Sequence, residues 1–424
     1  MNNLSKVLIS LVMLSSLAAC DEVNKNETSQ EQTEQETPET AVPEDETNPE
    51  TPEVPEGDLG TPPVADLGDT TTTPEPTPEP EEPAVEKKEY INYVEQHGLY
   101  ELPVEGATGY ASIKLSLFAE ANEASAIVTT AAPGQGFTIL EELGDYWFVD
   151  MAGTKGWIYN PLCIINLADI IPSMIYDNTN TYSSMLKSSG YDIANVTGEA
   201  LYDGKDFNDR LGKEEYIAGV LYGMAPKVAA AQKAALAEGN TIIMYEAFRP
   251  SDTHDVIFDN LSALVNSNAD VYAGVIADGF TSNWFLAPSP YNHQRATAMD
   301  VGLAKVVSEE MVTTGDYEYK QVTEYEVYPM QTDLHELSSE SAIFDTPVTS
   351  MSETAWLNVG LHENATEGSI LLQGYCADAG LTPLASEWWH FNDLPNTDLA
   401  KKHWITGDYS LDDTYSTVPV APVE

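Results

Sequence analysis

Two short segments constrain this chain most: Tyr291-Asn292-His293-Gln294-Arg295-Ala296-Thr297-Ala298-Met299-Asp300 and, roughly ninety residues later, Ser386-Glu387-Trp388-Trp389-His390-Phe391. Two histidines and one carboxylate are the usual protein ligands of a catalytic zinc, which keeps its fourth position for water. His293, Asp300 and His390 therefore read as a split zinc site, one Zn2+ per chain. Glu387 is left over as a general base three residues before the second histidine. Any fold that uses these residues must bring the two segments together. In a regular strand Glu387 and His390 would face opposite sides, so a bend or a helical turn is expected between them.

The N-terminus predicts export. Lys6 precedes an apolar run from Val7 to Leu17, too short to span a bilayer, which reads as a secretory leader over residues 1–19. Leu17-Ala18-Ala19-Cys20 resembles a bacterial lipobox, with Cys20 as the lipidation site, so the expected location is the outer face of a membrane, held by lipid alone. Residues 20–88 are rich in Glu, Thr, Pro, Gln and Asp and nearly free of aromatics. Such a stretch buries too little apolar surface to offset ordering entropy and is expected to be a disordered acidic tether. Fully extended, it would reach on the order of 200 Å.

The net charge is -51 over 424 residues, and the acidic excess continues past Lys88. A field of this sign repels phosphate, which argues against nucleic acid or an anionic lipid surface as partner. It also suggests a carboxylate-solvated surface suited to salt. Beyond Cys20 only Cys163 and Cys376 remain. Two thiols make no disulfide framework, and in a chain this large they are expected to be buried and free.

Residues 89–168 show short apolar runs punctuated by turn residues, as in a small all-β unit. Thr138 to Val149 predicts two strands about Gly144-Asp145. The order Gly109-Tyr110-Ala111-Ser112, Gly134-Gln135-Gly136 and Gly156-Trp157 resembles bacterial SH3-like barrels, which often bind cell-wall peptides. Trp147 and Trp157 read equally as core aromatics or as a ligand platform. Residues 169–424 read as one α+β unit. Within it a helix is predicted over Glu214 to Glu238 with a stop at Gly239, a strand over Thr241 to Tyr245, and a second helix from Ser251 through Leu264.

Residues 169–424 resemble the D-alanyl-D-alanine dipeptidases, zinc peptidases that include the vancomycin-resistance dipeptidases. The resemblance spans roughly Ile175 to Leu394 and rests on Asn195-Val196-Thr197-Gly198 with Leu201-Tyr202, Phe248-Arg249-Pro250, His293 to Asp300, and Glu387-Trp388-Trp389-His390-Phe391. It implies an α+β zinc peptidase domain preceded by a small SH3-like barrel, with His293, Asp300 and His390 on zinc, Glu387 as base and Arg249 assisting at the scissile carbonyl. Arg249 has a competing reading as a structural ion pair with Glu246 or Glu387. The family usually has Ser two residues before the first histidine and Gly three after it, where this chain has Tyr291 and Ala296. A long stretch from Val301 to Asn358 carries His335-Glu336, which lacks the second histidine of the zincin helix. His335 is read as a surface or core histidine, with a place in the pocket as the alternative.

The expected activity is hydrolysis of D-Ala-D-Ala or related peptidoglycan-derived peptides. The alternatives are a D,D-carboxypeptidase on stem peptides and a non-catalytic wall-binding lipoprotein. Export would put the enzyme outside the compartment where a resistance dipeptidase works, which favours wall-peptide turnover or scavenging.

Overall fold

A computed structural model describes residues 88–178 and 205–422, with the backbone of two short strands between them. Cys20, the leader, nearly all of the tether, and the Asn195 to Tyr202 motif lie outside the described residues. Residues Pro83–Glu424 form one compact unit. It is mixed α/β, with two large sheets built mainly of antiparallel strands.

Helix α1 (Tyr93–His97) is followed by β1 (Thr108–Ala111), β2 (Leu115–Phe118), β3 (Ile127–Ala131), β4 (Gly136–Leu143), β5 (Tyr146–Met151), β6 (Thr154–Tyr159) and β7 (Cys163–Asn166). The predicted hairpin about Gly144-Asp145 is β4–β5, with Gly144 at φ 58, a backbone conformation that glycine adopts without strain. The expected small barrel is an open array instead. The sheet order is β13-β7-β1-β4-β5-β6-β2-β3, no pairing closes it among the described residues, and β13 comes from the following region. Trp147 is fully buried against Tyr222, while Trp157 is half-buried and packs on Phe148 on the outer face.

Then come β8 (Ile175–Tyr176), β9 (Met185–Leu186), β10 (Tyr191–Asp192), β11 (Lys205–Asn208), β12 (Lys213–Tyr216), β13 (Gly219–Leu221) and α2 (Ala225–Ala237). The helix expected from Glu214 thus starts eleven residues late. The stretch before it pairs as strands, with β13 hydrogen-bonded to β7, and Pro226 marks the true first turn. Of the residues at helical spacing, Leu221 is buried in β13, while Ile217 is half-buried in the link between β12 and β13. Gly239 ends α2 at φ 77, as expected.

The second sheet holds β14 (Asn240–Glu246), β15 (Ala298–Thr314), β16 (Tyr317–Val327), β17 (Thr382–Leu384) and β18 (Glu387–Asn392), in the order β17-β18-β15-β14-β8. Its helices are α3 (Ser251–Ser267), α4 (Ala269–Val275), α5 (Ser282–Phe285), α6 (Glu367–Asp378) and α7 (Leu394–Lys402). β15 divides its length between two tasks. Its first half is buried between β14 and β18, and its second half runs on as a hairpin with β16 and alternates in exposure. Helices α2 and α6 pack together against β14 and β15.

The C-terminal segment returns across the first sheet as a strap. Tyr110 donates its hydroxyl to the Asp413 carbonyl at 2.8 Å, and the Tyr415 amide donates to Thr108 Oγ1 at 2.9 Å. Cys163 and Cys376 are buried and free, as expected. Among the described residues no helix is long and apolar enough to cross a membrane.

Candidate metal centre

Three neighbouring strands set the site. Glu246 at the end of β14 lies opposite Asp300 near the start of β15, and Asp300 lies opposite His390 on β18. Ladder hydrogen bonds thus place three ionisable side chains abreast in one row. The expected bend between Glu387 and His390 is present as a register shift: Pro383 pairs with Phe391 while Leu384 pairs with Glu387. The irregularity turns both side chains to the same side, with Glu387 Oε2 3.7 Å from His390 Nδ1.

His293 reaches the row from the turn that precedes β15. That turn needs a left-handed residue, and Ala296 supplies it at φ 55. This is the position where the family named above usually has Gly, which fits there without the strain a Cβ brings. The Ala296 amide donates to the His293 carbonyl at 3.0 Å, fixing the turn.

His293, Asp300 and His390 are all buried and converge. His293 Nε2 is 3.1 Å from His390 Nδ1 and 3.3 Å from Asp300 Oδ1, and His390 Nδ1 is 2.9 Å from Asp300 Oδ1. Four ligands on zinc at bond lengths of 2.0–2.1 Å stand about 3.3 Å apart, so this triangle has the size such a cation requires. The hydrogen bonds agree. His293 Nδ1 donates to the Ala247 carbonyl at 2.7 Å, and His390 Nε2 donates to Asn392 Oδ1 at 3.0 Å. Each ring then turns its lone pair toward the other and toward a carboxylate oxygen. With both rings neutral in these tautomers, three ligand atoms converge at a separation suited to one cation, so the cluster can hold a metal ion.

Burial alone would raise the Asp300 pKa, but His293, His335 and His390 outweigh it and hold the carboxyl well below the usual range. Burial lowers the His293 pKa, Asp300 outweighs that, and the net shift is upward. Glu387 behaves in the opposite way to Asp300: burial, then the Asp300 charge, push it well above the ordinary carboxylate range. Two carboxyls in one site thus have divergent proton affinities.

Arg249, just beyond β14, makes the ion pair that was its competing reading. Its Nε donates to Glu246 Oε1 at 2.7 Å and its Nη2 to Glu246 Oε2 at 2.5 Å. It also lines the cavity beside the cluster, so the two readings coexist. His254, one turn into α3, accepts from Arg249 Nη1 at 3.1 Å and donates to the Ala287 carbonyl at 2.7 Å. Burial, then the charge of Arg249, lower its pKa to about 4, so it stays a neutral acceptor. Sequence reasoning missed His254, although a helix beginning at Ser251 would have put it one turn from Arg249.

His335 is buried and takes the place that was its alternative reading: it lines the cavity, its Nε2 3.4 Å from Asp300 Oδ2. The cavity has a volume of about 350 Å³. His293, Asp300, His390, Glu387 and Arg249 stand on its polar side, and Trp284, Phe285, Leu286, Leu337 and Met351 contribute apolar wall. Tyr291, standing where the family usually has Ser, is part of its wall. A concave apolar pocket with a few convergent polar groups is the usual form of a small-molecule site.

No protein-family model matches this chain, and no curated protein matches it.

Proposed function

We propose that this chain is an exported, lipid-anchored zinc metallopeptidase that hydrolyses D-Ala-D-Ala or related peptidoglycan-derived peptides. In this reading residues 169–424 are a dipeptidase-like zinc domain, residues 89–168 are an SH3-like unit, and Cys20 carries the anchor. The observation that supports it most is the buried triangle of His293, Asp300 and His390, with Glu387 beside it, on the wall of an apolar cavity.

Zinc bound by these three residues would supply a Lewis acid that polarises the peptide carbonyl and lowers the pKa of a water toward about 7. Glu387 takes a proton from the attacking water and passes it to the leaving amine. Its raised proton affinity suits the second half of that transfer, delivery to the amine, while the first half needs the ionised form, which a cation on the neighbouring ligands would favour. Arg249 turns positive charge toward the cavity while Glu246 and His254 hold its fork, which suits an oxyanion developing on the substrate.

The test is a paired measurement on the full-length chain: zinc by elemental analysis, and product release from D-Ala-D-Ala and from a pentapeptide stem. Glu387→Gln is expected to lower turnover by about 10²–10⁴-fold while zinc stays bound. Cleavage of the stem alone would move the activity to D,D-carboxypeptidase. A zinc-free, inactive wild-type chain would refute the reading.

A further inference from the structure

A third histidine closes on the metal cluster from a segment that neither motif contains. His335 lies in the loop after β16, is only 5% exposed, and adopts a left-handed backbone at φ 59. For a residue with a Cβ that conformation is strained, and it persists where the surroundings hold it. The His335 ring meets the Trp389 ring edge-on, at 5.7 Å and 83°.

The Asp300 carboxylate divides its two oxygens. Oδ1 faces His293 and His390, at 3.3 and 2.9 Å. Oδ2 faces His335 Nε2 at 3.4 Å and Arg249 Nη2 at 3.6 Å. An ionised carboxylate only accepts, so the His335 tautomer that fits carries its proton on Nε2.

We propose that His335 is a positioning residue that holds Asp300 as a one-oxygen metal ligand. The proposal rests on the metal reading above. A carboxylate with both oxygens unrestrained can swing to two-oxygen coordination and fill the position that water or substrate needs. Donors on Oδ2 oppose that swing, in the way that outer hydrogen bonds orient metal ligands generally. His335 could itself ligate a cation with Glu246 and Asp300, since their ligand atoms lie within 4.8 Å of one another. The Arg249 guanidinium already supplies positive charge there, 2.5 Å from Glu246 Oε2, which favours the positioning role.

The experiment uses the full-length chain and two readouts besides turnover: zinc affinity by competition with a chelator, and the visible spectrum of the Co2+-loaded protein. His335→Phe keeps a ring against Trp389 and removes the donor; it should weaken zinc binding about 10–100-fold and alter the Co2+ spectrum. His335→Gln keeps an N–H donor and should stay within about threefold of wild type. Should His335→Phe fail to fold, His335→Leu carries the same expectation. Wild-type affinity and spectrum in the donorless variant would overturn the proposal, as would equal weakening in the Gln and donorless variants. Zinc binding by the wild-type chain separates these outcomes from failure of the metal reading itself.

Discussion

Replacing Glu101 by Gln tests how a buried carboxyl couples the two sheets. Glu101 precedes β1, and its carboxylate accepts from the Ser173 amide at 2.8 Å and from the Ser173 hydroxyl. Ser173 Oγ in turn accepts from Gln232 of α2 at 3.0 Å. Burial raises the Glu101 pKa from 4.5 to about 7, although the Ser173 hydrogen bonds pull it down. The folded state therefore binds this proton more tightly than the unfolded chain. The contribution is fully present below about pH 4.5 and is lost as pH rises through about 7. At 1.36 kcal/mol per pH unit, the loss by pH 8 is about 3 kcal/mol. Gln carries no charge and can still accept from the Ser173 amide. Urea unfolding of Glu101→Gln and wild type should agree near pH 4.5 and diverge to about 3 kcal/mol in favour of the variant at pH 8. The difference between the two chains is the quantity to read, because the many other acidic residues titrate in both. A difference independent of pH would refute the reasoning.

Arg249→Lys keeps the charge but loses the fork on Glu246, so kcat should fall by about 10²–10³-fold with a smaller change in KM. A KM effect alone would assign Arg249 to substrate binding. Arg249→Met should destabilise the fold by about 3–5 kcal/mol in urea unfolding, because it leaves Glu246 buried without its cation; an unchanged midpoint would contradict this. Gly136→Ala would drive a Cβ into the Tyr415 ring, so that ring must leave its place against β4 and loosen the strap there. Limited proteolysis should cut the C-terminal segment faster in that variant, and Tyr415→Ala in the same chain should remove the variant's added penalty. An unaltered cleavage rate would mean that the strap is not held at this contact.

Local patterns carried much of this structure. The hairpin at Gly144-Asp145, the strand before Glu246 and the helix after Pro250 were legible because each is bounded by its own turn residue. The start of α2 was misplaced because Ile217 and Leu221 fit a helical spacing, although Leu221 belongs to β13 and Ile217 to the link before it. What decided against the helix was pairing of β13 with β7, some fifty residues away, which no local window contains. The cluster of His293, Asp300 and His390 was visible as chemistry, and the bend at Glu387 could be demanded from strand geometry. His335 was legible only as an alternative pocket residue; its contact with Asp300 was not, because that depends on how a long loop folds back over the carboxylate.

The row of Glu246, Asp300 and His390 separates the reagent from the mould. Its spacing is fixed by hydrogen bonds among three central strands, whereas much of the cavity's apolar wall comes from the end of α5, with Trp284, Phe285 and Leu286, and from the segment that carries Leu337 and Met351. Single side chains on that wall can be exchanged without altering the strand ladder that spaces Glu246, Asp300 and His390, whereas the loop that bears Leu337 also carries His335 and is tied to Asp300. The shape of the cavity is thus open to change one apolar residue at a time while the row of candidate ligands keeps its spacing.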